Sequence, residues 1–189
     1  MDFSDKIFRF DGEKFFLKDT RTGSPSEKTS FRAEESDGVF RFRFECKENY
    51  FCPKHFNYND PLYDGDIVEL MITLGDKRRY LEIECNYNNA DYCVIIDNRD
   101  GEGDIVITPL KENVIKSRVE TLADGWACDI ILSVKELKKI GFSNPFYFNA
   151  HRQDYDETGY LNLYSLSPTF CDKFHKTTAF IRAEIKEDI

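Results

Sequence analysis

Between residues 39 and 46 the chain reads Val-Phe-Arg-Phe-Arg-Phe-Glu-Cys, a period-two alternation that only an extended strand can sort into faces. Phe40, Phe42, Phe44 and Cys46 fall on one side, and Arg41, Arg43 and Glu45 on the other. Three phenylalanines in a row on one face need a second layer to cover them. The same pattern returns at residues 67–74, where Val68, Leu70 and Ile72 oppose Glu69, Met71 and Thr73. Gly75-Asp76 then turns the chain into residues 80–85, which reads as a hairpin. Residues 125–132 alternate again, with Trp126, Cys128, Ile130 and Leu132 on the inner side.

Shorter β-rich pieces at 91–97, 104–108 and 114–121 are separated by turn residues, and 144–150, 160–166 and 177–185 supply closing strands. Near the N-terminus, two apolar bursts within 6–17 flank Asp11-Gly12 and predict a hairpin, while the polar stretch 20–29 reads as a long turn. The period changes once. Ser133 suits an N-cap, Glu136 stands at the capping-box position, and Gly141 follows Val134, Leu137 and Ile140, so one short helix is expected near 134–140. Regular strand spacing with a single helix predicts an all-β fold, an antiparallel β-sandwich of jelly-roll or immunoglobulin-like kind. No linker or repeat divides the 189 residues, so 1–189 is read as a single domain.

A net charge of −9 opposes nucleic acid, whose phosphates need clustered Lys and Arg. No apolar run reaches the length of a membrane span, and the N-terminus, MDFSDKIFRF, lacks the basic and apolar regions of a signal peptide. A cytoplasmic location is expected for the chain as it stands, and an extracellular one if a leader has been trimmed from it. Six cysteines match neither a zinc nor a disulfide spacing and are expected as reduced, mostly structural thiols.

Nothing in the sequence assembles a catalytic site: it has no phosphate-binding glycine loop and no nucleophile elbow, and His55, His151 and His175 lack metal-ligand spacing. An enzyme is not expected, and no cofactor is called for. The acidic turn at 97–104 crowds oxygen donors around two glycines but departs from the helix-loop-helix calcium pattern, so it reads as a hairpin turn. Residues 47–66 carry Tyr50, Phe51, Phe56, Tyr58 and Tyr63, too many rings for a loop that only meets water. Aromatic faces stack on the C–H faces of sugars while carboxylates and amides take the hydroxyls.

Pro61-Leu62-Tyr63-Asp64-Gly65-Asp66-Ile67-Val68-Glu69 resembles the signature of family 9 carbohydrate-binding modules and their DOMON-like relatives, an aromatic ahead of Asp-x-x-Glu. Further pieces follow in family order. Tyr80-Leu81-Glu82-Ile83-Glu84, Gly125-Trp126 through Ser133 with Leu137, Phe148-Asn149-Ala150-His151-Arg152, and Phe174-His175 with Phe180 are similar to the next strands and the C-terminal motif, together spanning about residues 31–187. The resemblance implies a sandwich that binds a saccharide without catalysis, and it allows a bound calcium. By position it makes Tyr63 one aromatic wall, with Glu69, Arg152 and Asn162 as polar contacts. Sugar-binding members have a tryptophan where this chain has Leu166, so Tyr164 or a loop tyrosine is the candidate to replace it.

Two other functions compete. A sandwich that has lost the sugar site would serve as a structural or protein-interaction module, with a protein partner or self-association. Haem-binding relatives use Met and His, for which Met71 with His151 or His175 are the candidates.

Overall fold

The structure is a computed structural model that describes residues 6–110 and 112–185. Among the described residues twelve strands form one antiparallel sheet: β1 (Phe15–Asp19), β2 (Pro25–Ser36), β3 (Val39–Lys47), β4 (Ile67–Leu74), β5 (Asp76–Asn86), β6 (Asp91–Asn98), β7 (Ile105–Pro109), β8 (Ile115–Leu122), β9 (Gly125–Ser133), β10 (Phe146–Tyr155), β11 (Leu161–Ser165) and β12 (Ile181–Ala183). The hydrogen-bonded order is β7-β6-β5-β4-β10-β11-β1-β2-β3-β9-β8, with β12 paired to β10. This long sheet folds over on itself. Phe42 of β3 meets Phe148 of β10 at 6.5 Å between ring centroids, and Phe40 meets Phe146 at 5.7 Å. The two layers are thereby closed around one apolar core, as the alternation at 40–46 requires, and the fold is an all-β sandwich.

Phe40, Phe42 and Phe44 are fully buried against Val68, Leu70, Ile72, Trp126 and Phe148. Fully burying a side chain of this size contributes roughly 1.5–3 kcal/mol, so this aromatic seam is a main source of stability. At the start of β9 the backbone of Gly125 abuts β3. Its φ is +150°, and a Cβ there would lie 1.8 Å from the Cys46 carbonyl oxygen, so glycine alone is tolerated.

A second apolar cluster lies on the outer face of β4, β5 and β6, built from Leu62, Ile67, Met71, Tyr80, Tyr92, Val94, Ile96 and Phe180. It explains why all eight residues of β4 are buried. Segments outside the two layers, including the single 3-10 turns Leu62–Asp64 and Thr177–Ala179, cover that face.

Several local expectations are corrected. No hairpin forms at Asp11-Gly12, where Phe8 bridges Ala183 and Asp11 bridges Glu34 instead, since the apolar bursts are drawn to two different partners. The stretch 20–29 is a turn only to Ser24, and a twelve-residue strand starts at Pro25. The helix α1 (Val134–Lys139) is present, but Ser133 makes no side-chain cap. Glu136 pairs with Lys139 at 2.6 Å rather than reaching back, so the capping box is absent. Residues 177–185 hold a 3-10 turn and a three-residue strand. All six cysteines are free thiols, and among the described residues no helix is long and apolar enough to cross a membrane.

Candidate functional site

Strand register brings acidic side chains together on the outer face of the second layer. In β4 the residues facing away from the core are Ile67, Glu69, Met71 and Thr73, and in β5 they are Tyr80, Glu82 and Glu84. Glu69 stands opposite His151 of β10 on one side and opposite Glu84 on the other, and Glu84 stands opposite Tyr92 of β6. The neighbouring row is Asn149, Met71, Glu82 and Val94. One oxygen from each of Glu69, Glu82 and Glu84 lies within 4.8 Å of the other two, and all three side chains are buried.

Charge cannot accumulate freely there. Two unit charges 4.8 Å apart repel by roughly 3.5 kcal/mol at an effective dielectric constant of about 20. Burial, reinforced by this repulsion, pushes Glu69 and Glu84 well above the usual carboxylate range, and burial pushes Glu82 up to about 7. The Tyr63 backbone amide hydrogen-bonds Glu84 and partly offsets the rise. Among the described residues no lysine or arginine pairs with any of the three. His175 Nδ1 comes to 3.8 Å from Glu82 but is hydrogen-bonded to the Tyr80 hydroxyl at 2.8 Å, and burial brings its pKa down to about 4, so it stays neutral. Burial also depresses His151, whose Nδ1 meets Ser165 Oγ at 2.8 Å.

Aromatic rings border this acidic floor. Tyr63 sits on its 3-10 turn, anchored by the buried Leu62, and Gln153 Nε2 donates to the carbonyls of Tyr63 and Gly65. Asp66 holds the same loop by accepting from the Cys52 and Tyr155 amides. The Tyr63 ring is 48% exposed and meets the edge of Tyr92 at 5.9 Å. Phe174 stacks on His151 at 4.2 Å and 19°. The other rings of the 47–66 segment, Tyr50, Phe51, Phe56 and Tyr58, are also exposed, so this rim presents aromatic surface rather than sealing the sandwich.

The five residues marked from the sequence do not converge. Tyr63 and Glu69 share the outer face. Arg152 follows His151 on β10 and therefore points the other way, into the sandwich, where it is fully buried. It donates to Glu48 at 2.8 Å, Asp154 at 2.9 Å and Thr29 Oγ1 at 3.1 Å. Tyr164 pairs with Arg152 in register, belongs to the inner core, and is buried. Asn162 is opposite Asp154 on that same inner face, with Nδ2 3.5 Å from the Asp154 carbonyl. Arg152 and Tyr164 thus lie inside the sandwich, and Asn162 is half-buried on the same side, because a strand gives alternate positions to opposite faces.

Leu166 is buried in the main core. Met71 is fully buried in the outer apolar cluster, and the imidazole of His151 is covered by Phe174, so haem ligation would have to displace packed side chains. In the acidic turn Asp100 accepts from the Glu102, Gly103 and Asp104 amides and Asn98 from the Gly101 amide, which shapes it as a tight turn. Glu82, Glu84 and Phe174 are outer-face residues that the sequence did not mark as sugar contacts, and His151 was considered there only as a haem ligand. Their signal was the alternation Tyr80-Leu81-Glu82-Ile83-Glu84, which puts two acids opposite the core face of a strand flanking Glu69.

No family model matches this sequence, and a comparison with curated proteins returns no match. Solved structures do match. A proposed carbohydrate-binding protein from Bacteroides uniformis is 13% identical with a TM-score of 0.72, over 93% of this chain and 87% of that one. A family 9 carbohydrate-binding module from Caldicellulosiruptor kristjanssonii in complex with glucose is 12% identical with a TM-score of 0.60, over 92% and 86%. One from the same organism in complex with cellotriose is 12% identical with a TM-score of 0.63, over 94% and 85%. With nearly the whole of each chain superposed at so low an identity, the kinship is one of architecture, and the chain has the fold of family 9 carbohydrate-binding modules.

Proposed function

We propose that this protein is a non-catalytic saccharide-binding module whose site lies on the outer face of the second layer. The observation that carries the reading is Tyr63, a half-exposed ring set beside a floor of carboxylates. Such a ring offers a stacking face to a sugar, and an adjoining carboxyl group offers hydroxyl partners. Glu69 is the acid in line with His151 and Glu84, and Phe174 takes the second aromatic position that Tyr164 cannot reach.

Glucose and cello-oligosaccharides are the first ligands to try, because the structurally similar modules hold glucose and cellotriose. Calorimetry at millimolar sugar is expected to give binding that Tyr63→Ala weakens about tenfold, the equivalent of one stacking contact. The melting temperature of that variant should stay within a few degrees of the parent, as the ring is outside the core. Absence of heat with every mono- and oligosaccharide on a broad glycan panel would remove the proposal.

A further inference from the structure

A basic cavity opens on the outer face, away from the Tyr63 rim. Tyr63 meets Tyr92, in the row of Glu69 and Glu84, whereas Lys77 meets Tyr147, whose amide bonds Thr73 Oγ1 about 13 Å further along β4. The cavity has a volume of about 670 Å³, within the range of small-ligand sites. Lys6, Lys77, Lys176 and Arg182 line it, with no carboxylate beside them among the described residues. Acids dominate the rest of the chain, which has 35 Asp and Glu against 26 Lys and Arg.

Tyr147 brings two of the cations together. The Lys77 ammonium is 4.0 Å from the centre of its ring, and Arg182 stands directly opposite it in the β10–β12 ladder. Burial lowers the pKa of Lys77, which has no carboxylate partner among the described residues, so a half-buried cation is left without a counter-charge. Arg182 Nη2 meets Glu184 at 2.6 Å and Lys176 Nζ is 3.8 Å from Glu102, but neither acid lines the cavity. Phe170 adds an aromatic face independent of the charges. It is 69% exposed, takes a left-handed φ of +57° that bulky residues rarely adopt, and has its amide held by the Thr20 carbonyl at 2.9 Å. Gly23 makes room for the ring, since a Cβ there would lie 3.0 Å from it. Tyr147, Ser167 and Thr178 add hydroxyl groups to the wall.

We propose that this cavity binds an anionic saccharide, with Lys77 and Arg182 holding its acidic group and Phe170 stacking on one face of a sugar ring. Hydrogen bonds between a cation and an oxyanion are about twice as strong as neutral ones, and they give Lys77 the counter-charge it lacks. An exposed ring among hydroxyls favours a sugar over a bare ion. The acidic group is a carboxylate, as on a uronic acid, or a sulfate ester, since both offer oxygens to the same cations. This site goes beyond the reading at Tyr63 and does not rest on it, because it uses none of that site's residues.

The full-length protein is titrated by calorimetry with trigalacturonate, its methyl ester, a sulfated chondroitin disaccharide and a short polyglutamate peptide. An acidic sugar is expected to bind one per chain, more weakly as salt is raised, and the uncharged ester is expected not to bind. Lys77→Gln and Phe170→Ala, both at the rim of the cavity, should each weaken that binding about tenfold, the equivalent of one charge-assisted or stacking contact, and keep the melting temperature within a few degrees of the parent. Tyr63→Ala should leave it intact, which separates this site from the one at Tyr63. Preference for the carboxylate or for the sulfate identifies the acidic group. Binding of neither acidic sugar, equal binding of the ester or of the peptide, full affinity in either cavity variant, or loss of binding in Tyr63→Ala overturns the proposal.

Discussion

Arg152 and Glu48 form an ion pair at 2.8 Å inside the sandwich, with the guanidinium wholly withdrawn from solvent. The pair ties β10 to the segment that follows β3, and Asp154 at 2.9 Å makes it a triad. Removing the cation would leave two buried carboxylates without a counter-charge. Breaking such a pair from one side costs about 3–5 kcal/mol. Arg152→Leu is therefore expected to lower stability by about that amount in urea unfolding, whereas a residue serving only as a ligand contact would leave the unfolding midpoint unchanged.

The phenylalanine seam predicts a contrast between two residues of one type. Phe148 is fully buried and meets Phe8 edge-on at 4.9 Å, with Phe31, Phe42 and Phe146 around it. Phe148→Ala should cost about 3–5 kcal/mol, the range for opening a large aromatic cavity. Phe170, 69% exposed, should tolerate alanine within about 0.5 kcal/mol. Chemical denaturation of both variants measures the difference directly.

Trp126 is the sole tryptophan and lies fully buried with its Nε1 unbonded, its ring edge-on to Tyr87 at 6.2 Å. Its emission should be blue-shifted and resist acrylamide, then shift red when the protein unfolds. Saccharide binding at the Tyr63 rim should leave that emission nearly unchanged. A sugar-dependent change in tryptophan fluorescence would move the site to the opposite layer.

The strands were legible because alternation is a local signal that tertiary packing reinforces: Phe40 to Cys46, Val68 to Ile72 and Trp126 to Leu132 each point where their pattern puts them. The helix was legible from its change of period, though not its cap. What could not be read was pairing. Nothing local to Arg152 says that it faces Glu48, 104 positions away, and nothing local to Glu69 says that Glu84 and His151 stand on either side of it. The hairpin expected within residues 6–17 failed for the same reason, since Phe8 and Asp11 find partners at Ala183 and Glu34 rather than each other. Tyr63 lies in a contiguous loop motif, whereas Arg152, Asn162 and Tyr164 lie along strands whose facing depends on a single residue of register.

Arg43 gathers Glu45, Glu120 and Asp129 across β3, β8 and β9, and Glu45 also accepts from Lys14 at 3.1 Å and from Ser30 at 3.1 Å. Partial burial opposes ionisation of Glu45, but these donors outweigh it and hold its carboxyl down at about 2. The unfolded chain, with an ordinary glutamate near 4.5, binds more protons than the folded one between those values, so stability falls as the pH drops through the window. Because the group is partly exposed, solvent screening limits its contribution to on the order of 1 kcal/mol. Glu45→Gln should therefore be less stable than the parent by about that amount at neutral pH, and the gap should close between about pH 4.5 and pH 2, as followed by urea unfolding across that range. A gap that is the same at every pH would mean that the network acts through packing rather than charge.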